Sequence, residues 1–227
     1  MAGSLRPGEK PLLKLGLTGG IASGKSVVGG MFVKLGAHLI QADAVAHWLM
    51  EPGRAVYEEV VRRFGREILD TDGSINRSRL AEAAFGAAGG AAPRVKELNE
   101  IVHPAVVAQE NEWMEEIGRR DPHAIAIVEA ALILESGTAS RFDRLIVVTC
   151  HPEQRVLRFA RRLGISEDAA RAEVTRRMAA QISDEEKIKA ADFIIDNSLS
   201  LDATGQQVQR VFAALRLQER ELPRSTE

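Results

Sequence analysis

The sequence predicts an α/β fold, a five-stranded parallel sheet flanked by helices, and three observations carry that prediction. A glycine-rich stretch, Gly19-Gly20-Ile21-Ala22-Ser23-Gly24-Lys25-Ser26, separates a short apolar run from a helical pattern. Four more short apolar runs follow, separated by helical spacing, the alternation that lays crossover helices on both faces of a parallel sheet. The composition is that of an ordinary globular chain, 227 residues with 45% hydrophobic and 27% charged, enough for one sizeable core.

The first strand is read from Leu12, Leu13, Leu15 and Leu17 after Pro11. The first helix is read from Val27, Val28, Met31, Phe32 and Leu35, with Gly36 as its stop. His38-Leu39-Ile40 is a second strand ending at Gln41-Ala42-Asp43, and a helix over Ala44–Met50 follows until Glu51-Pro52-Gly53 breaks it. Asp43 has two readings there. It faces a ligand at the carboxyl end of its strand, or it caps the helix. From Arg54 to Gly118 the pattern is helical, with a turn at Asp70–Gly73 and a small-residue linker at Gly86–Pro93; Pro104 is expected to kink or restart the helix on which it lies. This insertion is a site for a second substrate, and His103 within it is either a ligand contact or a structural residue. Ile125–Glu129 and Leu145–Thr149 are the third and fourth strands, with one helical turn expected at Ala130–Glu135. Phe193-Ile194-Ile195, closed by Asp196-Asn197, is the fifth strand. A last helix from Asp202 to about Glu219 buries Val208, Val211, Phe212 and Leu215.

Seven arginines fall in the helical interval between the last two strands: Arg155, Arg158, Arg161, Arg162, Arg171, Arg176 and Arg177. They read as a solvated face or as a lid. Arg158 and Arg162, four apart, share one helix face and suit a bidentate clamp on phosphate.

The glycine-rich stretch fits G-x-x-x-x-G-K-[ST], whose chemistry is anion binding. Glycines let backbone N–H groups from Gly19 to Val27 turn inward as a nest, and the following helix adds the positive end of its dipole. Lys25 brings a movable charge to the β- and γ-phosphates of ATP, and the Ser26 hydroxyl is placed for Mg²⁺. Glu129, at the end of its strand, is a second acid of the kind that helps hold Mg²⁺.

Exclusions follow from composition. A net charge of −2 gives no global attraction to nucleic acid or to a membrane surface. One cysteine, Cys150, precludes an intrachain disulfide and fits a reducing compartment. The stretch Ala124–Leu134 is interrupted by Glu129 and too short to span a bilayer, and Met1–Lys14 lacks a signal-peptide pattern. The expectation is a cytoplasmic protein with no nucleic-acid or membrane partner, its oligomeric state open. The guanine-reading Asn-Lys-x-Asp is absent. A small-molecule kinase is the expected class, against two rivals: a kinase for another acceptor such as a nucleoside or nucleotide, and a non-catalytic ATP-responsive module.

The chain resembles the dephospho-CoA kinase family from about Leu13 to Leu215. The resemblance is carried by G-L-T-G-G-I-A-S-G-K-S at Gly16–Ser26, A-D ending at Asp43, E-P-G at Glu51–Gly53 and F-G-x-x-I-L at Phe64–Leu69. It continues with D-G-x-I-x-R at Asp72–Arg77, V-H-P at Val102–Pro104, L-I-L-E at Leu132–Glu135, A-A-Q ending at Gln181 and A-D-x-I-I-D-N at Ala191–Asn197. It implies a P-loop kinase fold with a helical substrate subdomain and a helical lid. The implied reaction is phosphorylation of the ribose 3′-hydroxyl of dephospho-coenzyme A by ATP, the last step of coenzyme A synthesis. The implied parts are a nucleotide core over 12–43, 121–152 and 190–217, an acceptor subdomain over 44–120 and a lid over 153–189. The implied catalytic residues are Lys25, Asp43 and Arg158. Gly19, Gly20, Ile21, Ala22, Ser23, Gly24, Lys25, Ser26, Val27, Arg162 and Asn197 would contact the nucleotide, Asn197 near its adenine. Arg77 and His103 would contact the acceptor, and Ser26 and Asp43 the metal. Against the family pattern, Gln41 stands where aspartate is usual, His47 for arginine, Val27 for threonine, and Glu129 and Ala131 for aspartate and proline. Ala22 replaces a common glycine, which a loop position accepts if its φ is negative.

Overall fold

The computed structural model describes residues 12–86 and 94–221. The absence of a signal pattern before Leu12 and most of the small-residue linker, 87–93, lie outside the described residues. The elements are β1 (Leu13–Thr18), α1 (Lys25–Lys34), β2 (His38–Gln41), α2 (Ala42–Leu49), α3 (Ala55–Phe64), α4 (Arg77–Phe85) and α5 (Val95–Arg120). They continue as β3 (Ile125–Glu129), β4 (Arg144–Thr149), α6 (Pro152–Leu163), α7 (Glu167–Ala179), α8 (Asp184–Ala190), β5 (Phe193–Asp196) and α9 (Leu201–Glu221).

The strands form one parallel sheet in the order β2-β3-β1-β4-β5. β1 is central, pairing with β3 on one side and β4 on the other. The chain therefore leaves β1 in one direction and later returns to its other flank. That reversal opens a crevice at the carboxyl end of β1, where ligands gather in such sheets. Alternation along the strands divides the core. Leu15, Leu17, Ile125, Ile127, Ile146 and Val148 face α1 and α9, where Val28, Phe32, Val208, Val211 and Leu215 complete the larger cluster. Leu145 and Val147 point to the other face and pack with Ile133. This is the expected fold class, and the last helix buries Val208, Val211 and Leu215 as expected, with Phe212 partly buried against the same cluster.

The chain divides into two compact units, one up to Ile40 and from Met114 onward, the other Gln41–Trp113. The second has its own core of Val56, Val60, Phe64, Ile68, Leu80 and Ala84, against which Val95, Leu98, Ile101 and Val102 pack. Its Asp70–Gly73 turn is closed by the Gly73 amide to the Asp70 carbonyl at 3.0 Å and flanked by a bridge between Leu69 and Ile75. Asn76 caps α4 through the Arg79 amide, leaving Arg77 as an exposed first helical residue.

Two local expectations are corrected. α2 starts at Ala42, with extended Gln41 in the cap position, so Asp43 lies inside the first turn and is not the cap. Pro104 does not restart α5, which runs unbroken from Val95 to Arg120. Pro104 has no N–H to bond the Glu100 carbonyl, and both are exposed residues. The helical turn expected after β3 is present, with the amides of Ser136, Gly137 and Thr138 donating to the carbonyls of Leu132, Leu134 and Ile133 at 2.9, 3.1 and 3.1 Å.

Candidate active site

The crevice at the end of β1 is lined by the loop Gly19–Gly24 and the first turn of α1. Gly24 has φ +93, and a Cβ there would collide with the Asn197 amide nitrogen, so only glycine permits this approach. Ala22 also sits in the left-handed region at φ +53. The condition of a negative φ is therefore not met at Ala22, and its conformation costs about 1–2 kcal/mol relative to glycine-like freedom. The loop is held there by burial: Ile21 inserts among Val156, Phe159, Ala160, Ala170 and Val174 of α6 and α7, and Ala22 packs against the same cluster.

The Lys25 ammonium folds back to donate to the carbonyls of Gly19, at 3.0 Å, and Gly20, at 3.3 Å. Ser26 Oγ donates to Glu129 Oε1 at 2.6 Å, joining residues 103 apart. Ser26 and Val27 are exposed, whereas Ser23 is fully buried and its Oγ lacks a hydrogen-bond partner.

Asn197 and Arg158 meet this loop from behind. The buried Asn197 amide donates to the Ser23 carbonyl at 2.9 Å and its Oδ1 accepts from Thr204 at 3.1 Å. Arg158 donates to the Asn197 carbonyl at 2.8 Å and the Ser23 carbonyl at 3.4 Å. The Arg158 and Arg162 guanidinium groups rest apart in this structure. Arg162 is exposed, its guanidinium 5.3 Å above the Phe159 ring. The motif residues Gln181 and Glu135 meet instead at the buried Lys187, 3.1 Å and 3.0 Å from its ammonium.

Arg155 is the residue that sequence reasoning missed. It is fully buried, donates from Nε to the Cys150 carbonyl at 3.3 Å, and pairs with Asp184 at the start of α8. A cation in the first turn of a helix opposes the dipole, which was the available signal that Arg155 needs a partner. Burial also pushes the nearby Cys150 thiol above its ordinary pKa, so it stays protonated.

In the second unit, Asp43 and His47 stand four apart on α2 and both are exposed. Although exposed, His47 is held below the ordinary histidine pKa, first by partial desolvation of its ring and then by repulsion from Arg77, with Asp43 opposing. Asp43, His47 and Arg77 thus form one electrostatic group. His103 is exposed on α5. Among the described residues no group of three or more His, Cys, Asp or Glu side chains is arranged for a metal ion, and no helix is long and apolar enough to cross a membrane.

A glycine nest with a helix dipole and a lysine, set at the switch point of a parallel sheet, defines a nucleotide-binding P-loop protein of the small-molecule kinase class. The family model for dephospho-CoA kinase matches residues 13–203, and the chain belongs to that family. A dephospho-CoA kinase of Aquifex aeolicus is 39% identical over 203 residues, covering 89% of this chain and 97% of the relative. The crystal structure of TT1252 from Thermus thermophilus superposes with a TM-score of 0.70 at 31% identity, covering 89% of this chain and 97% of that one. A dephospho-CoA kinase from Campylobacter jejuni superposes at 0.58 with 26% identity, covering 90% and 98%.

Proposed function

We propose that this protein transfers the γ-phosphoryl group of ATP to the ribose 3′-hydroxyl of dephospho-coenzyme A, giving coenzyme A and ADP in the cytoplasm. The observation that carries the reading is the loop itself: the Gly19–Gly24 turn ahead of the N-terminus of α1, with the Lys25 ammonium already turned onto the carbonyls of Gly19 and Gly20. A triphosphate offers Lys25 charged acceptors in place of those neutral carbonyls.

The division of labour follows the family. Segments 12–43, 121–152 and 190–217 hold the nucleotide, 44–120 the acceptor, and 153–189 form the lid. Lys25 and Arg158 balance charge on the transferring group. Asp43 accepts the proton as the acceptor oxygen bonds to the γ-phosphorus and the bond to the ADP oxygen breaks. Arg77 and His103 hold the acceptor, and Arg162 adds positive charge to the lid. Asn197 serves the nucleotide by fixing the Ser23 carbonyl and hence the Gly24 turn.

Ser26 Oγ and Glu129 Oε1, 2.6 Å apart, are hard oxygen donors of the kind that suits Mg²⁺. These two, with Asp43, would hold the ion, which supplies neutralisation of phosphate charge. Glu129 takes the share that an aspartate at position 41 would have carried.

The test is an acceptor panel. ADP release with dephospho-coenzyme A, and a product heavier by one phosphoryl group in mass spectra, is the expected result. Turnover only with nucleosides or nucleotides, or ATP binding with no phosphorylated acceptor, overturns the reading.

A further inference from the structure

Arg155 belongs to no expected site, yet it is among the largest fully buried side chains in the protein. Its guanidinium donates to both carboxylate oxygens of Asp184, from Nη1 to Oδ1 at 3.4 Å and from Nη2 to Oδ2. Asp184 itself is anchored as the first residue of α8, beside the reciprocal Ser183–Glu186 cap and at the positive end of the helix.

This pair underlies the phosphate loop. A Cβ on Gly20 would collide with Arg155 Nη1 and lie 3.2 Å from Asp184 Oδ1, so the Gly20 backbone rests directly on the ion pair. The Gly20 carbonyl accepts from the Ser23 amide at 3.3 Å and from the Lys25 ammonium at 3.3 Å. One peptide is thus seated from below by Arg155 and Asp184, and in turn orients the loop's next turn and its lysine. Arginine suits this role because its planar fork engages a carboxylate at two points while Nε is still free to hold Cys150.

We propose that Arg155 and Asp184 are positioning residues of the nucleotide cradle, a buried latch that seats Gly20 and, through it, Lys25, while tying α6 and α8 to the loop. The proposal rests on the reading that the cradle holds ATP. Two effects oppose each other when the latch is altered. Removing the carboxylate raises local positive potential, which favours phosphate. Freeing the guanidinium leaves a buried charge without its partner, and the loop shifts to accommodate it. Because the Arg155 guanidinium is buried under the loop and has no route to solvent, the second effect dominates, even though the Asp184 side chain is 29% exposed.

The experiment is calorimetric titration of the intact protein with ATP and Mg²⁺, alongside steady-state kinetics. Arg155→Lys keeps the charge and loses the fork, and it weakens ATP binding about tenfold. Asp184→Asn does the same, while Asp184→Glu stays within about threefold of wild type because it keeps the carboxylate. At saturating ATP and dephospho-coenzyme A, kcat stays within about threefold in all three, since bound triphosphate reimposes the loop geometry. Unchanged ATP affinity in Arg155→Lys and Asp184→Asn, even with a lowered melting temperature, reduces the pair to a structural tie and overturns the proposal. A fall in kcat without a change in affinity overturns it equally. If Arg155→Lys does not fold, the contrast between the Asn and Glu variants at position 184 decides alone. Wild-type protein that binds no ATP defeats the underlying cradle reading instead, and the latch with it.

Discussion

Ala22 is the one described non-glycine residue with positive φ, and it sits within the loop proposed to hold phosphate. Its neighbour Ile21 is buried between α6 and α7, which fixes the chain on one side, while the Gly24 turn fixes it on the other. Strain at a functional loop persists when its surroundings over-determine the backbone. The rank order of substitutions follows. Ala22→Gly removes about 1–2 kcal/mol of left-handed strain but returns about 0.4–1 kcal/mol of chain entropy to the unfolded state. Its methyl also packs partly, so the net change in stability is within about 1 kcal/mol. Ala22→Val places a β-branched side chain in the same conformation and destabilises by about 1–3 kcal/mol. Denaturant midpoints measure both. Equal midpoints for alanine and valine would mean that the loop carries negative φ in solution.

At the scale of elements, α2 with its Arg77 neighbour makes a pH-sensitive device. His47 has a folded pKa below the ordinary 6.5, so between those two values the unfolded chain binds more protons than the folded one. Stability therefore falls as pH drops through 6.5 and the folded value, and it is fully present above 6.5. Because burial is the largest cause and Arg77 the next, Arg77→Gln raises the His47 midpoint in an NMR titration, and His47→Gln flattens the stability profile in that window. A midpoint that moves down in the Arg77 variant rejects the repulsion. Such couplings were illegible in the sequence because they join distant residues, whereas the elements themselves were plain. β3 occupies Ile125–Glu129 as read, since strands buried on both faces appear as unbroken apolar runs. α2 was read two residues late because Asp43 imitates a cap, while the extended Gln41 that ends β2 fills that position. Ser26 and Glu129 were each named as metal candidates, but only the fold joins them across 103 residues. Among seven arginines with helical spacing only its place in the first turn of α6 marked Arg155, and its partner lies 29 residues away. The Arg158–Arg162 face was legible from spacing, but not where each guanidinium rests. Spacing puts both on one side of α6, but Arg158 reaches the loop, whereas Arg162, at the end of the helix, lies over Phe159.

For the whole molecule, the division into two units makes ligand effects separable. The loop, Lys25, Ser26, Glu129, Arg155, Arg158 and Asn197 all belong to the unit that excludes Gln41–Trp113, and the second unit has an apolar core of its own. A ligand that binds only the folded state stabilises whatever must be folded to bind it, by about 2.7 kcal/mol at a hundredfold excess over Kd. Amide exchange through opening of the first unit should then slow about 100-fold when ATP and Mg²⁺ are present at that excess. Hydrogen exchange read by mass spectrometry should show this in α1, β4 and α6, with α3 and α4 unchanged. Adding dephospho-coenzyme A should extend protection to α2, where Asp43 and His47 stand, and to the start of α4 at Arg77. Uniform protection of both units by ATP alone would mean that they open as one cooperative body. Protection of α3 and α4 with none in α1 would mean that the triphosphate binds away from the Lys25 loop, because no amide close to that loop could then be sensing it.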